Sequence, residues 1–192
     1  MKKGMFIVIE GIDGSGKGTQ TRILCTWLKK QGYEVFQTHE PTDSKIGKII
    51  REGLKEGSFD PVVEALLFAA DRRQHTPRIL SEIKKGKIVV CDRYVQSSFA
   101  YQGAHYLDIG WIVSINNFAL KPDLLIVLDI DPKLALERVN SRGKKTDYFE
   151  KLEFLKKVRS IYLNQPDALV VDARKSIDEM GAEIRKIVSR AF

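Results

Sequence analysis

The residues best suited to chemistry are Gly11-Ile12-Asp13-Gly14-Ser15-Gly16-Lys17-Gly18-Thr19, which follow the apolar run Met5-Phe6-Ile7-Val8-Ile9-Glu10 and precede a helical pattern. The glycines let the chain turn so that successive backbone N–H groups face one point. Lys17 adds a full charge there, and the helix N-terminus behind it adds a partial one. Such a loop holds the polyphosphate of a nucleoside triphosphate. A turn that merely joins a strand to a helix is the plainer alternative, but the Gly-to-Gly-Lys spacing and both flanking elements favour phosphate. Where Ser or Thr usually follows the lysine to reach magnesium, this chain has Gly18, and the hydroxyl comes one place later at Thr19. The spacing therefore predicts magnesium held largely through water, with direct ligation by Thr19 left open.

Other polar residues stand just after apolar runs. Asp92-Arg93-Tyr94 follows the run 87–91. A carboxylate leaving an apolar strand is placed to anchor magnesium, and an adjacent arginine can clamp a phosphate bidentately. Asp129 has the same context and is read instead as the cap of the helix that follows it. His39-Glu40-Pro41-Thr42 follows the run 33–38. Phe68 and Arg72 share one face of a helical pattern. A ring beside a guanidinium can hold a nucleobase, although the pattern alone favours a core Phe and a surface Arg. Ser97-Ser98-Phe99-Ala100-Tyr101-Gln102-Gly103 supplies polar groups that could line the same cleft. Arg138-Val139-Asn140-Ser141-Arg142-Gly143-Lys144-Lys145 is basic and irregular. It reads as a lid that brings arginines onto a transferring phosphoryl group, or as a solvated loop.

These residues must be positioned by strands alternating with helices. Strands are predicted at 5–10, 33–38, 87–91, 124–129 and 168–172. The last three are nearly continuous apolar runs, as expected of strands buried on both faces of a parallel sheet. Between them, Ile23, Leu24, Trp27 and Leu28 form one helical stripe that Gly32 can close. Asp60-Pro61 and Thr76-Pro77 each read as a helix start, Gly86 as a stop, and Ser176 with Glu179 as a capping box. The prediction is a three-layer α/β fold of about five parallel strands covered by helices on both faces. It spans 1–192 as a single domain, with a small lid at roughly 138–150. Active sites in such folds lie at the carboxyl ends of the strands, where the polar residues above collect.

Composition narrows the partners. The 192 residues are 43% hydrophobic and carry a net charge of +7, which suits a small polyanionic substrate or simply a lysine-rich surface. No nucleic-acid-binding motif is present, no run is long enough to span a membrane, and the apolar stretch after Lys3 is too short for a signal peptide. A cytoplasmic protein is expected. Cys25 and Cys91 belong to no paired motif and read as reduced, buried small residues. His39, His75 and His105 show no metal-ligand spacing and read as surface or packing residues.

In the order Phe6–Lys17, Glu40-Pro41, Phe68 with Arg72, Asp92-Arg93-Tyr94, Ser98 with Ala100-Tyr101-Gln102-Gly103, and an arginine-bearing lid, nearly the whole chain resembles the thymidylate (dTMP) kinases among the P-loop nucleoside monophosphate kinases. The resemblance implies a P-loop NTPase fold and Mg²⁺-dependent transfer of the ATP γ-phosphoryl group to dTMP, giving dTDP and ADP on the way to dTTP. It implies that Gly11 through Thr19 bind ATP, with Lys17 bridging its phosphates, Arg142 closing from the lid and Arg138 against adenine. Asp92 then serves the magnesium, and Asp13 its water shell or the sugar 3′-hydroxyl. Arg93 touches the acceptor phosphate. Phe68 stacks on thymine, Arg72 bonds its carbonyl, Ser98 and Gln102 flank the base edge, and Tyr101 packs on the deoxyribose, with Glu40 and Pro41 in the same acceptor-binding set. Some members carry an arginine where this chain has Gly14, which raises the weight on Arg142. A homodimer is implied, with 108–120 as one candidate surface. The rival readings are a kinase for another monophosphate such as dUMP, and a P-loop ATPase module acting on a partner.

Overall fold

Among the described residues of this computed structural model, 4–140 and 148–192, the apolar runs form strands β1 (Met5–Glu10), β2 (Val35–His39), β3 (Ile88–Asp92), β4 (Leu124–Asp129) and β5 (Ala168–Asp172). All pair in parallel, in the order β2-β3-β1-β4-β5. The helices are α1 (Lys17–Lys30), α2 (Lys45–Glu56), α3 (Pro61–Lys84), α4 (Val95–Ala104), α5 (Ile109–Ile115), α6 (Pro132–Asn140), α7 (Tyr148–Leu163) and α8 (Ile177–Ser189). The central strands are buried along their length, whereas the edge strands β2 and β5 are only partly covered. No helix among the described residues is long and apolar enough to cross a membrane.

Most predicted elements are found, with differences that have local causes. Helix α1 closes as expected. Gly32 takes a left-handed φ of 79°, its N–H donates to Lys29 O at 3.0 Å and that of Tyr33 to Leu28 O at 3.1 Å, a Schellman stop. This motif consumes Tyr33, so β2 starts later than predicted. Strand β3 runs one residue past 91, which makes Asp92 its last member, in register with Ile9 and His39.

Thr76-Pro77 does not start a helix. Asp60 caps α3, accepting from the N–H groups of Val62 and Val63 at 2.8 and 3.0 Å, and the helix then runs through Pro77 without a break. An internal proline costs about 3 kcal/mol. A break here would separate Arg72, His75 and Thr76 from Ile79, all buried on one face. The Thr76 hydroxyl donates to Arg72 O at 2.8 Å, across the weakened turn. Asp129 is not a cap either. Arg159 donates to both its carboxylate oxygens, at 2.6 and 2.9 Å, and Asp131 caps α6 through the Lys133 N–H at 2.9 Å. The capping box of Ser176 and Glu179 is present.

Candidate active site

The phosphate loop between β1 and α1 is shaped by backbone contacts. The Ser15 N–H donates to Ile12 O at 3.2 Å, and those of Thr19 and Gln20 to Gly16 O at 3.1 and 3.0 Å. Gly14 has a φ of +87°, and a Cβ there would lie 2.4 Å from the Ala135 carbonyl oxygen. Helix α6 closes over this position, so a side chain such as arginine has no room. Lys17 is buried and donates through Nζ to Ile12 O at 2.9 Å. Burial lowers its pKa to about 8, helped by the Arg93 charge and opposed by Asp13, Asp92 and Glu10. The ammonium rests on a loop carbonyl with its charge poorly solvated, and a phosphate would supply the missing counter-charge.

Asp92 points at the same place. A Cβ on Gly18 would stand 3.3 Å from Asp92 Oδ2, so the carboxylate reaches the loop position at which a hydroxyl is usual. Asp92 and the Thr19 hydroxyl are hard oxygen donors. Among the described residues no three His, Cys, Asp or Glu side chains form a ready cage for a metal. Such a donor set fits Mg²⁺, which keeps waters and takes its remaining ligands from a nucleotide.

Arg93 follows Asp92 with a φ of 68°, a left-handed conformation that costs about 1–3 kcal/mol. Its N–H is tied to Ile9 O at 3.0 Å, and the turn throws its guanidinium across the strand ends. There it donates to Asp13 Oδ1 at 2.6 Å, Ser97 Oγ at 3.0 Å and the Tyr101 and Tyr162 hydroxyls, each at 3.3 Å. Its charge holds the Asp13 carboxyl down at about 2.

Glu10, quoted in the sequence without a role, underlies this arrangement. Its buried carboxylate accepts from the N–H groups of Tyr94 and Ser97 at 2.7 and 3.1 Å, the Ser97 hydroxyl at 2.7 Å and the Tyr162 hydroxyl at 2.9 Å. Burial raises its pKa. Helix α4 has no side-chain cap of its own, so Glu10 caps it from β1 and fixes two of the groups that hold Arg93. The only sequence signal was a carboxylate ending an apolar strand.

The opposite wall is built by α3 and α4. Arg72 is not at the surface but fully buried. It donates to Glu40 Oε2 at 2.9 Å, Asn116 Oδ1 at 2.6 Å, Ser98 Oγ at 3.2 Å and Tyr94 O at 3.3 Å. His75, read from sequence as surface or packing, sets Nδ1 3.0 Å from Glu40 Oε1 and Nε2 2.7 Å from Thr38 Oγ1. Asp71 accepts from the Thr42 N–H and hydroxyl, both at 2.6 Å, and from the Ser44 hydroxyl at 2.7 Å. Together they fasten the Glu40-Pro41-Thr42 loop to α3. Asn116 and Asp71 gave no sequence signal, because their partners are distant in the chain. Phe68 is half-buried and stands outside the main apolar core. Tyr101 lies under the Arg93 guanidinium, 5.1 Å from carbon to ring centre. Gln102 bonds Glu64 of α3.

Arg138 donates to Gly14 O at 3.4 Å and Ala173 O at 3.1 Å, between the phosphate loop and the approach to α8. Arg142 lies outside the described residues.

A phosphate loop entering α1 at the central strand, a carboxylate beside its lysine end and an arginine thrown across it define a P-loop kinase, an enzyme of phosphoryl transfer. The profile of the thymidylate kinase family matches residues 9–184. The chain is 48% identical over 189 residues to a probable thymidylate kinase of Methanocaldococcus jannaschii, covering 96% of this chain and 95% of the relative. It is 46% identical over 198 residues to one of Thermococcus onnurineus, covering 96% and 97%, and 45% identical over 197 residues to one of Pyrococcus horikoshii, covering 97% and 96%. The chain belongs to the thymidylate kinase family and is a nucleoside monophosphate kinase.

Proposed function

We propose that the enzyme transfers the γ-phosphoryl group of ATP to dTMP, giving dTDP and ADP. The observation that carries this is the meeting of Lys17, at the start of α1, with Asp92 and Arg93 at the end of β3, close enough for both charges to act on the lysine. The ATP phosphates enter the loop of Gly11 through Thr19, and Lys17 leaves Ile12 O to bridge them. An acceptor phosphate oxygen, already ionised near neutral pH, attacks the γ-phosphorus in line, so no strong general base is required. Catalysis is then positioning and charge neutralisation by Lys17, Arg93 and Arg142. Arg93 exchanges its bonds to Asp13 and to the hydroxyls for the acceptor phosphate, which frees Asp13 toward the sugar 3′-hydroxyl. Phe68 stacks on thymine, Arg72 and Ser98 face its carbonyl, and Tyr101 packs on the deoxyribose.

Asp92, with Thr19 and Asp13 through water, would hold Mg²⁺, which supplies charge neutralisation on the donor phosphates when bound. Residues 1–192 act as one domain, and closure of 138–150 excludes water so that ATP is not hydrolysed. A homodimer is part of the reading. Val62 and Leu66, one turn apart on α3, and Ile109 and Val113 on α5 are exposed, which supports an apolar interface including the expected 108–120 segment. The buried free thiols of Cys25 and Cys91 suit a cytoplasmic setting.

The test is ADP release from Mg-ATP with dTMP, dUMP, dCMP, AMP, GMP or no acceptor. A strong preference for dTMP is expected. Preference for another monophosphate would overturn the base pocket, and turnover without acceptor would point to an ATPase module.

A further inference from the structure

Glu64, Phe68 and Arg72 follow one another at four-residue steps along α3, and Ser98 and Gln102 do the same along α4. Two polar rungs join the helices. Arg72 donates to Ser98 Oγ at 3.2 Å, and Gln102 Nε2 faces Glu64 Oε2 at 3.4 Å. Phe68 lies between the rungs on α3. Glu64 is half-buried, and burial raises its pKa. Nothing in the phosphoryl chemistry above uses it.

The rungs present opposite hydrogen-bonding characters to a base lying on Phe68. Ser98 Oγ accepts from Arg72 and keeps its own hydrogen to donate, so that rung can offer a donor. The Gln102 amide meets Glu64 with its NH₂ end, which donates to Glu64 Oε2. The other end, Oε1, accepts no hydrogen bond among the described residues. A donor beside an acceptor matches the O4 and N3–H edge of thymine or uracil. The corresponding edge of cytosine carries an amino donor and a bare N3 acceptor, the reverse pattern. A free glutamine could rotate its amide and accommodate either base. Here rotation would press Oε1 against the Glu64 carboxylate.

We propose that Glu64 is a positioning residue that locks the Gln102 amide in one orientation and so excludes cytosine nucleotides from the acceptor pocket. The inference rests on the acceptor assignment made above. Polar mismatches of this kind are rejected strongly, because a buried group is left unpaired.

The experiment measures kcat/KM for dTMP and for dCMP in the wild type, E64Q and Q102A. In E64Q the new amide can turn to donate or accept, so Gln102 regains its rotation. The dTMP-over-dCMP ratio is expected to fall by about tenfold or more, through a gain in dCMP turnover. Q102A removes the acceptor, and its ratio falls through loss of dTMP turnover. If both substrates weaken equally in E64Q, or the ratio is unmoved in both variants, the lock is wrong. A wild type that does not use dTMP overturns the acceptor assignment itself, whereas one that prefers dTMP with a ratio indifferent to both variants overturns the lock alone.

Discussion

On the proposed donor side, between β1 and α1, stand a loop of glycines and one lysine, which donates to a loop carbonyl. On the proposed acceptor side, between α3 and α4, Arg72 is buried with four partners contributed by different elements. The donor grip is made of backbone and held open for a charge that the ligand brings. The acceptor wall is made of side chains that satisfy one another before any ligand arrives. A change on the donor side should therefore damage chemistry and spare the fold, whereas a change in the acceptor network should damage both.

Arg72→Ala separates the two most sharply. Removing one partner of a buried ion pair costs about 3–5 kcal/mol, so urea unfolding should show a loss of that size, together with a raised KM for dTMP and little change in KM for ATP. Equal effects on both KM values would remove Arg72 from the acceptor wall. Lys17→Ala should unfold at or above the wild-type temperature yet lose about 10²–10³ in kcat. A variant that keeps near-normal kcat would contradict the role given to the loop lysine.

The pH dependence sharpens the donor side further. Lys17 has a pKa of about 8 against an ordinary 10.5, so in the free enzyme the charge is present below pH 8 and lost as pH rises through it. kcat/KM for ATP, which reports the free enzyme, should decline by up to about tenfold per unit above that point. kcat should hold to higher pH, because bound phosphate retains the proton. For folding the sign is opposite. The unfolded chain holds this proton more tightly between about 8 and 10.5, so the destabilisation from burying Lys17 is complete below 8 and fades as pH rises. Lys17→Met should abolish both trends. The smallest effect is expected from Ser176→Ala, which removes the cap of α8 and no side chain of either wall. It should cost about 1 kcal/mol in unfolding and leave turnover unchanged.

The same contrast decides what could be read from the sequence. The phosphate loop, Asp92 and Arg93 were legible because their chemistry is local, with a strand end, a few glycines and the next residues all contiguous. The sheet was legible because buried parallel strands are apolar runs. Arg72 was readable as a base-binding candidate, but its burial was not, since Glu40 and Asn116 lie 32 and 44 residues away along the chain. Glu10 was hidden for the same reason, its partner Tyr94 being 84 residues distant. Pro77 misled because local propensity predicts a helix start, whereas the buried face of α3 on both sides of it outweighs the lost hydrogen bond. Asp129 was assigned to the wrong task because Arg159, its partner, comes from α7.

The most direct test of the account is to follow the γ-phosphate of radiolabelled ATP in the presence of Mg²⁺ and dTMP. The account predicts that the label appears in dTDP, one label for each ADP formed, with almost none as inorganic phosphate. Label released as phosphate while dTMP stays unchanged would contradict it, because the cleft would then serve hydrolysis and the α3–α4 wall would not be an acceptor site.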